Sequence, residues 1–262
     1  MWVIFDVETI PDAHAGRRWL DLGYDLSDHD VRETMLQRRM DETGSHSFLK
    51  PAFHPVVATA AGLVDETGAL RKVASLGLPT SEESLLVGEF FRVIRESRPR
   101  LVGWNSGGFD LPVLVLRGML HAIPAQAFYR LGEPYHGYRK RFDEESHIDL
   151  MDLLSGYGAT ARMSLDETAS VLGVPGKLDT NGSAVMELFE SGQIEAIRSY
   201  CETDVMTTAL IFAAYARHRE WMDADQAMTF DHSVQSFLTE RHEVHWRKFY
   251  DHWMSLKEKP HA

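Results

Sequence analysis

The feature that most constrains this chain is a short apolar run at its start that carries two carboxylates. Trp2–Val7 is rich in β-branched and aromatic residues, which predicts a strand. Side chains two residues apart on a strand point to the same face, so Asp6 and Glu8 should lie side by side. Carboxylates on a buried strand are costly to ionise unless a cation compensates them. The pattern therefore favours a Mg²⁺ or Mn²⁺ site, and its simplest alternative is a pair of solvated acids in a strand-end loop.

The rest of the sequence predicts an α/β fold with a mixed sheet covered by helices. Val56–Val64 and Leu70–Leu76 read as two strands joined by a tight turn, which predicts an antiparallel hairpin. After the hairpin, helical and strand patterns alternate. Thr80-x-x-Glu83 has the pattern of a capping box that begins the first of these helices. The remaining predicted elements are strands at Leu101–Val102 and His147–Leu150 and helices at Leu111–Leu120, Ser164–Leu172, Ser183–Glu190, Gln193–Ala216 and about 231–255.

The pattern predicts one main domain rather than several. Residues 1–216 form the predicted main domain, and residues 217–262 form a helical C-terminal extension. Residues 11–55 are polar and mixed in charge, so we interpret them as an insertion, in which Ser27-x-x-Asp30 predicts the start of a helix. No internal repeat or composition-biased linker divides the chain.

Composition excludes several classes of protein. The longest apolar run has about nine residues, around Val56–Val64, which is too short to cross a bilayer. The only cysteine is Cys201, so an internal disulfide is impossible, and the lack of a signal peptide pattern adds to the expectation of a cytoplasmic protein. The net charge of −12 argues against a nonspecific nucleic-acid binder. It leaves room for an enzyme that contacts a few nucleotides through metal ions and a local cationic patch.

Two later motifs supply further carboxylates. Asp110 ends the stretch Asn105-Ser-Gly-Gly-Phe109-Asp110 and directly precedes a predicted helix, so its simplest alternative role is helix capping. Tyr200 and Asp204 are four residues apart on a predicted helix and therefore share a face. The alternative for this pair is an ordinary boundary between the polar and apolar faces of a helix.

These motifs gain meaning when they are taken together. A strand end, a helix start and a late helix can converge at one end of a mixed sheet, where open α/β folds place their sites. The four acids would then be Asp6, Glu8, Asp110 and Asp204. Such a cluster would hold two divalent ions, an arrangement that cleaves phosphodiester bonds.

The order and spacing of these motifs resemble those of the DEDD superfamily of exonucleases, and the tyrosine resembles that of its DEDDy branch. The sequence is more similar still to a bacterial family of predicted 3′–5′ exonucleases related to the proofreading domain of family B DNA polymerases. The resemblance covers roughly residues 1–215 and implies a ribonuclease H-like fold, a five-stranded mixed sheet flanked by α-helices, two divalent metal ions and release of nucleotides from a 3′ end. It rests on FDVETIPD at 5–12, LVGWNSGGFDLPVLVLR at 101–117, HIDLMDLLSGYG at 147–158, LGVPGK at 172–177 and YCETDV at 200–205.

The resemblance also implies a role for individual residues. The four acids match metal ligands, Tyr200 matches a residue that orients the attacking water, and Asn105 matches one that positions the substrate or Asp110. Thr9 and Phe109, in the same motifs, are assigned to substrate binding.

Other candidates lie outside the acid motifs. Lys177 is not part of a P-loop, because Leu178 follows where a serine or threonine is needed, but it is a candidate for a phosphate contact. Residues 128–142 mix basic and aromatic side chains, which suits single-stranded nucleic acid, and Arg139 and Arg141 are its assigned contacts. The alternative is a solvated loop with its aromatics in the core. His147 and Asp149 share a strand face and could support the site, although a hydrogen-bonded core histidine is the simpler interpretation.

The function predicted from sequence is a metal-dependent 3′–5′ exonuclease that acts on single-stranded DNA, with Mg²⁺ or Mn²⁺ as cofactor and no membrane partner. Three alternatives stay open at this point. The first is an exoribonuclease of the same fold, because no residue reports contact with a 2′-hydroxyl. The second is a catalytically silent module that binds nucleic acid or a protein partner, and the third is a phosphohydrolase of small nucleotides.

Overall fold

The computed structural model describes residues 1–130, 136–177 and 184–258. They contain a five-stranded sheet in the order β3-β2-β1-β4-β5, so the first strand is central. β1 pairs with β2 antiparallel and with β4 parallel, and β5 is parallel to β4. The mixed sheet predicted from the sequence is thereby confirmed. The strands are β1 (Trp2–Thr9), β2 (Val56–Val64), β3 (Leu70–Ser75), β4 (Arg100–Gly103) and β5 (His147–Asp149).

Helices lie on both faces of the sheet. The helices before residue 219 are α1 (Ala13–Leu20), α2 (Asp28–Thr43), α3 (Glu83–Ser97), α4 (Asp110–Leu120), α5 (Gln126–Tyr129), α6 (Leu150–Leu154), α7 (Leu165–Leu172), α8 (Val185–Glu190) and α9 (Ile194–His218). Residues 131–135 of the predicted basic loop and Ser183, the predicted start of α8, lie outside the described residues. None of the helices in the described part of the chain is long and apolar enough to cross a membrane.

Alternation along β1 explains why the strand is buried on both sides. Trp2 and Ile4 belong to the core cluster that includes the buried residues of α9. Val3, Phe5 and Val7 belong to the opposite cluster, which includes the buried residues of α3 and α4. A strand covered on both faces has apolar side chains at nearly every position. Asp6 and Glu8 break that pattern on the side that faces α9.

The capping box predicted at Thr80-x-x-Glu83 is wrong. Helix α3 begins at Glu83, and its N-cap position is Glu82, whose side chain makes no capping hydrogen bond. The carboxylate of Glu83 instead accepts hydrogen bonds from the backbone of Val56 and from Arg117 on α4. The side chain of Glu83 therefore forms a long-range ion pair instead of the capping contact that the local pattern predicts.

The segment 11–55 forms two helices with a small core of their own. Ser27 caps α2 through the backbone of Asp30, which confirms the helix start predicted there. Met35 packs with Ala13 and neighbouring residues in a separate cluster. Arg32 of α2 binds Glu190 of α8 at 2.8 Å, so the segment is also tied to the main body. Its interpretation as an insertion stays a prediction.

The single helix predicted for about 231–255 is wrong. The C-terminal part forms α10 (Ala224–Thr239) and α11 (Val244–Lys257), which are separated by a short break. Phe237 of α10 and Trp246 of α11 meet edge to face at 5.1 Å between ring centroids. Both belong to the core cluster on the α9 side. The break lets each helix turn its apolar face to that core, which one straight helix could not do.

Candidate active site

The first two carboxylates of the site lie on β1 and face helix α9. Asp6, Glu8 and Cys201 each place one ligand atom within 4.8 Å of the other two. The thiol of Cys201 donates to Asp6 Oδ2 at 3.5 Å. Asp204 stands one turn further along α9 than Tyr200, and its charge acts on both Asp6 and Glu8. The strand and the late helix therefore meet as the sequence motifs predict.

Asp110 joins this cluster through a gap in the sheet. The parallel pairing of β1 with β4 ends at Ile4 and Val102, so beyond that point the edge of β1 has no strand beside it. The amide of Val7 donates to Asp110 Oδ1 at 3.2 Å in this gap. Asp110 is the first residue of α4 and not its N-cap, a position held by Phe109. The capping alternative for Asp110 is thus wrong.

The pKa of every acid in the cluster is raised. Burial is the main cause, and it raises the pKa of Asp110 to about 7 and that of Asp204 to about 6. The pKa values of Asp6 and Glu8 lie well above their usual range because of burial and the neighbouring carboxylates. Among the described residues, Lys177 is the cation that counteracts this effect on Glu8 and Asp204. One lysine cannot neutralise four carboxylates, so the cluster keeps an excess of negative charge. Groups of oxygen ligands with such an excess suit divalent cations.

Tyr200 lies beside the acids with its hydroxyl protonated. Its pKa is raised, chiefly by burial and then by the charge of Asp204, to which it is hydrogen-bonded. The Nζ atom of Lys177 lies 5.6 Å from the centroid of the tyrosine ring. Tyr200 and Lys177 are therefore both in reach of a molecule that contacts Asp204.

The turn that precedes Asp110 is held by strand β5. Asn105 adopts a left-handed backbone conformation, with φ of 57°. Asp149 accepts hydrogen bonds from the backbone amides of Asn105 at 3.0 Å and Gly107 at 2.9 Å. His147 contacts Ser106 Oγ at 2.8 Å, and burial lowers its pKa to about 4. The structure therefore favours the simpler interpretation of His147 as a hydrogen-bonded core residue, whereas Asp149 supports the site.

An aromatic stack made of His54, Phe109 and Phe48 lies next to residues that adjoin the acids. Thr9, next to Glu8, contacts the ring of His54 at 2.9 Å, and that ring meets Phe109 edge to face at 4.9 Å. Phe48 packs on Phe109 at 5.2 Å between centroids, and 57% of its surface is exposed. Sequence reasoning missed His54 and Phe48 because only the tertiary fold brings residues of segment 11–55 to the metal-ligand motifs. An aromatic residue in a polar segment was the one available signal.

Arg139 and Arg141 line a cleft that none of the four acids lines. The cleft lies beside the turn at 105–108 and also includes Arg162 and Asp149. Arg141 is held by Asp152 at 2.6 Å and stacks over the ring of Phe142 at 5.6 Å. The predicted basic and aromatic character of this region is present, but it does not reach the four acids.

The fold and the acids at the carboxyl end of its central strand describe an α/β protein with a candidate metal site. Comparison with known proteins identifies its family. The fold is similar to that in the structure of the family B DNA polymerase from the hyperthermophilic archaeon Pyrobaculum calidifontis, with a TM-score of 0.51 and 19% identity. The similar region covers 82% of this chain and 24% of the polymerase chain, so the present chain corresponds to a minor part of that protein. The likeness concerns the fold and confirms the ribonuclease H-like architecture predicted from the sequence.

The chain belongs to a family described as "Predicted 3'-5' exonuclease related to the exonuclease domain of PolB", which matches residues 46–253. The matched range contains Asp110, Tyr200 and Asp204, and it also runs through α10 and into α11. Asp6 and Glu8 lie outside it. No curated protein sequence matches the chain. The family supports exonuclease activity on a nucleic acid with divalent metal ions.

Proposed function

We propose that this protein is a DEDDy-type 3′–5′ exonuclease that removes nucleotides from single-stranded DNA with two Mg²⁺ or Mn²⁺ ions. The observation that carries the proposal is the convergence of four carboxylates from β1, α4 and α9, each with a raised pKa. DNA is favoured over RNA because the similar solved structure is named as a DNA polymerase. A free, buried cysteine suits the reducing cytoplasm, which we propose as the location.

Asp6, Glu8, Asp110 and Asp204 would hold the divalent ions. When bound, the ions supply positive charge that lowers the pKa of a water and stabilises the leaving 3′ oxygen. No nucleophilic side chain is required. The carboxylates themselves position oxygen donors on both sides of the gap between β1 and β4, where the scissile phosphate would lie.

Different neighbouring residues would contact different parts of the substrate. The protonated hydroxyl of Tyr200 can donate a hydrogen bond to the attacking water or to the phosphate, while Lys177 offers a positive charge to the phosphate. Phe48 and Phe109 offer ring faces against which a terminal base can stack. Thr9 and His54 hold the Phe109 ring in place. A terminal nucleotide bound by these contacts would lie between the aromatic stack and the acids.

The test is degradation of matched DNA and RNA oligomers, each labelled at its 5′ end, in the presence of Mn²⁺. A 3′–5′ exonuclease shortens the labelled strand one nucleotide at a time, and an enzyme that prefers DNA does so faster on DNA. Faster cleavage of RNA would favour the exoribonuclease. Cleavage restricted to mononucleotides would indicate the small-molecule phosphohydrolase. Binding of either oligomer without turnover would indicate the silent module.

Replacement of Tyr200 by phenylalanine tests the role of its hydroxyl. The ring stays in place, and the hydroxyl can no longer bond to Asp204 or to the water. We expect kcat to fall by about 100-fold, the lower end of the range for a single proton-donating group, with little change in KM. Steady-state rates on a single-stranded oligomer measure both constants. A rise in KM with kcat unchanged would show that the hydroxyl only helps to bind the substrate.

A further inference from the structure

A cleft of about 380 Å³ lies beside the turn at 105–108, and none of the four acids lines it. Its floor is apolar and contains Leu111, Val115, Phe128 and Tyr138. The rings of Phe128 and Tyr138 are stacked on each other, with 7° between their planes, and both are buried, so the floor is rigid. A rigid apolar floor next to cations suits a nucleobase, which is apolar on its faces and is joined to a phosphate.

The rim of the cleft is cationic, although the protein as a whole is acidic. Four side chains, called here the rim cations, line it: Arg139, Lys140, Arg141 and Arg162. Among the described residues, Asp149 and Asp152 are the acids that line it, so positive groups outnumber negative ones there in a chain with a net charge of −12. An excess of cations beside an apolar floor matches the chemistry of a polynucleotide strand, in which phosphates alternate with bases.

Two of the rim cations are held in place before any ligand arrives. Asp152 accepts hydrogen bonds from Arg141 on both carboxylate oxygens, at 2.6 Å and 2.8 Å, and from Arg162 on one of them at 2.9 Å. The Arg141 guanidinium also lies near the rings of Phe142 and Tyr157. Guanidinium groups fixed in this way lose less side-chain entropy when they bind a phosphate. The remaining donors of each group stay available for a ligand.

The turn at 105–108 connects the cleft to the acid cluster. Asn105, Gly107 and Gly108 line the cleft, and the same turn leads directly to Asp110. None of the four acids lines the cleft, so a molecule bound there is not the group being cleaved. A strand whose 3′ end lies at the acids must continue away from them, and this turn is a direct route.

We propose that the cleft binds the single strand upstream of the scissile phosphate, with a base on the floor and phosphates on the rim cations. This inference rests on the proposed exonuclease function and adds an upstream subsite to it. Binding there would give longer substrates an advantage that a dinucleotide cannot have. The subsite would also keep the strand attached between successive cleavages.

The experiment compares substrate lengths in a variant that lacks three rim cations, R139A/K140A/R162A. Arg141 is left intact because it also binds the backbone of Tyr157. The control is R71A/K72A/K257A, which removes the same charge from exposed positions that do not line the cleft. KM is measured for a 12-nucleotide thymidine oligomer and for the thymidine dinucleotide.

For the cleft variant, we expect the KM for the 12-mer to rise about 10-fold or more relative to the KM for the dinucleotide. The slope of log KM against log salt should flatten by roughly 0.7 for each phosphate that the variant no longer neutralises. The control variant should leave the ratio of the two KM values at the wild-type figure. Equal changes for both substrates, or no change for either, would overturn the upstream subsite.

Failure of the exonuclease proposal itself would look different. If the wild-type protein cleaves neither substrate with Mn²⁺, that proposal fails, and the cleft is tested by binding alone. Fluorescence anisotropy with a labelled 12-mer then compares wild-type, cleft and control variants. Weaker binding by the cleft variant alone supports the subsite, and equal binding by all three proteins refutes it.

Discussion

Replacement of Asp6 by asparagine is expected to abolish metal-dependent hydrolysis and to make the metal-free protein more stable. Asparagine keeps the shape of the side chain but removes one charge from the centre of the acid cluster. Loss of a metal ligand removes several kcal/mol of stabilisation from the transition state, which corresponds to a fall in kcat of about 10³-fold or more. Rates on a single-stranded oligomer with Mn²⁺ measure this effect.

The gain in stability follows from the direction of the pKa shifts. Each carboxyl of the cluster has a higher pKa in the folded protein than in the unfolded chain, so the folded state binds more protons. The stability contributed by those protons is complete below the unfolded pKa of about 4 and is lost as the pH rises through the folded values. For Asp204 and Asp110 these pKa values are about 6 and about 7. Wild-type protein without metal should therefore lose stability between about pH 4 and pH 7.

Thermal unfolding in the presence of a chelator tests this sign. At pH 7.5 we expect D6N to melt several degrees above wild type, since about 1 kcal/mol corresponds to roughly 2–4 °C in a chain of this size. Added Mn²⁺ should narrow or reverse the difference, because it stabilises only the protein that binds it. The control is D251N, which removes one charge from an exposed position on α11. A D6N protein that melts below wild type in chelator would contradict the picture of repelling carboxylates.

The acid cluster was predictable because its signals are local in sequence and its convergence follows from fold topology. Strand periodicity predicts the placement of Asp6 and Glu8, and helix periodicity predicts that of Tyr200 and Asp204. The position of Asp110 depends on more than its motif, because its contact with Val7 exists only where the β1–β4 pairing stops. Strand registers and strand ends are set by packing across the sheet, and the sequence of a single segment does not reveal them.

The features that sequence reasoning missed are held together by tertiary contacts. Phe48 reaches the site because segment 11–55 folds back on the motif that contains Phe109. The break between α10 and α11 exists because two apolar faces pack on one core. The capping pattern at Thr80-x-x-Glu83 failed for a related reason. A capping box is worth about 1 kcal/mol, and a buried arginine that needs a partner is worth more.

Removal of one partner from the ion pair that replaces the cap should be strongly destabilising. Arg117 is 8% exposed, and its guanidinium contacts Glu83 at 2.6 Å and Asp12 at 2.7 Å. Glu83 also accepts a hydrogen bond from the amide of Val56 and contacts His121. These contacts therefore join α3, α4, β2 and the start of α1 near the base of segment 11–55.

Replacement of Glu83 by alanine is expected to lower the free energy of unfolding by about 3–5 kcal/mol, because a buried charge loses a partner. The melting temperature should fall by roughly 10 °C. The matched control is E82A, since Glu82 is the exposed neighbour at the N-cap and makes no capping bond. Arg117 keeps its contact with Asp12 in E83A, so the loss should be smaller than in R117M, which leaves both Glu83 and Asp12 without that partner. A loss of only about 1 kcal/mol in E83A would indicate that Glu83 contributes no more than a helix cap.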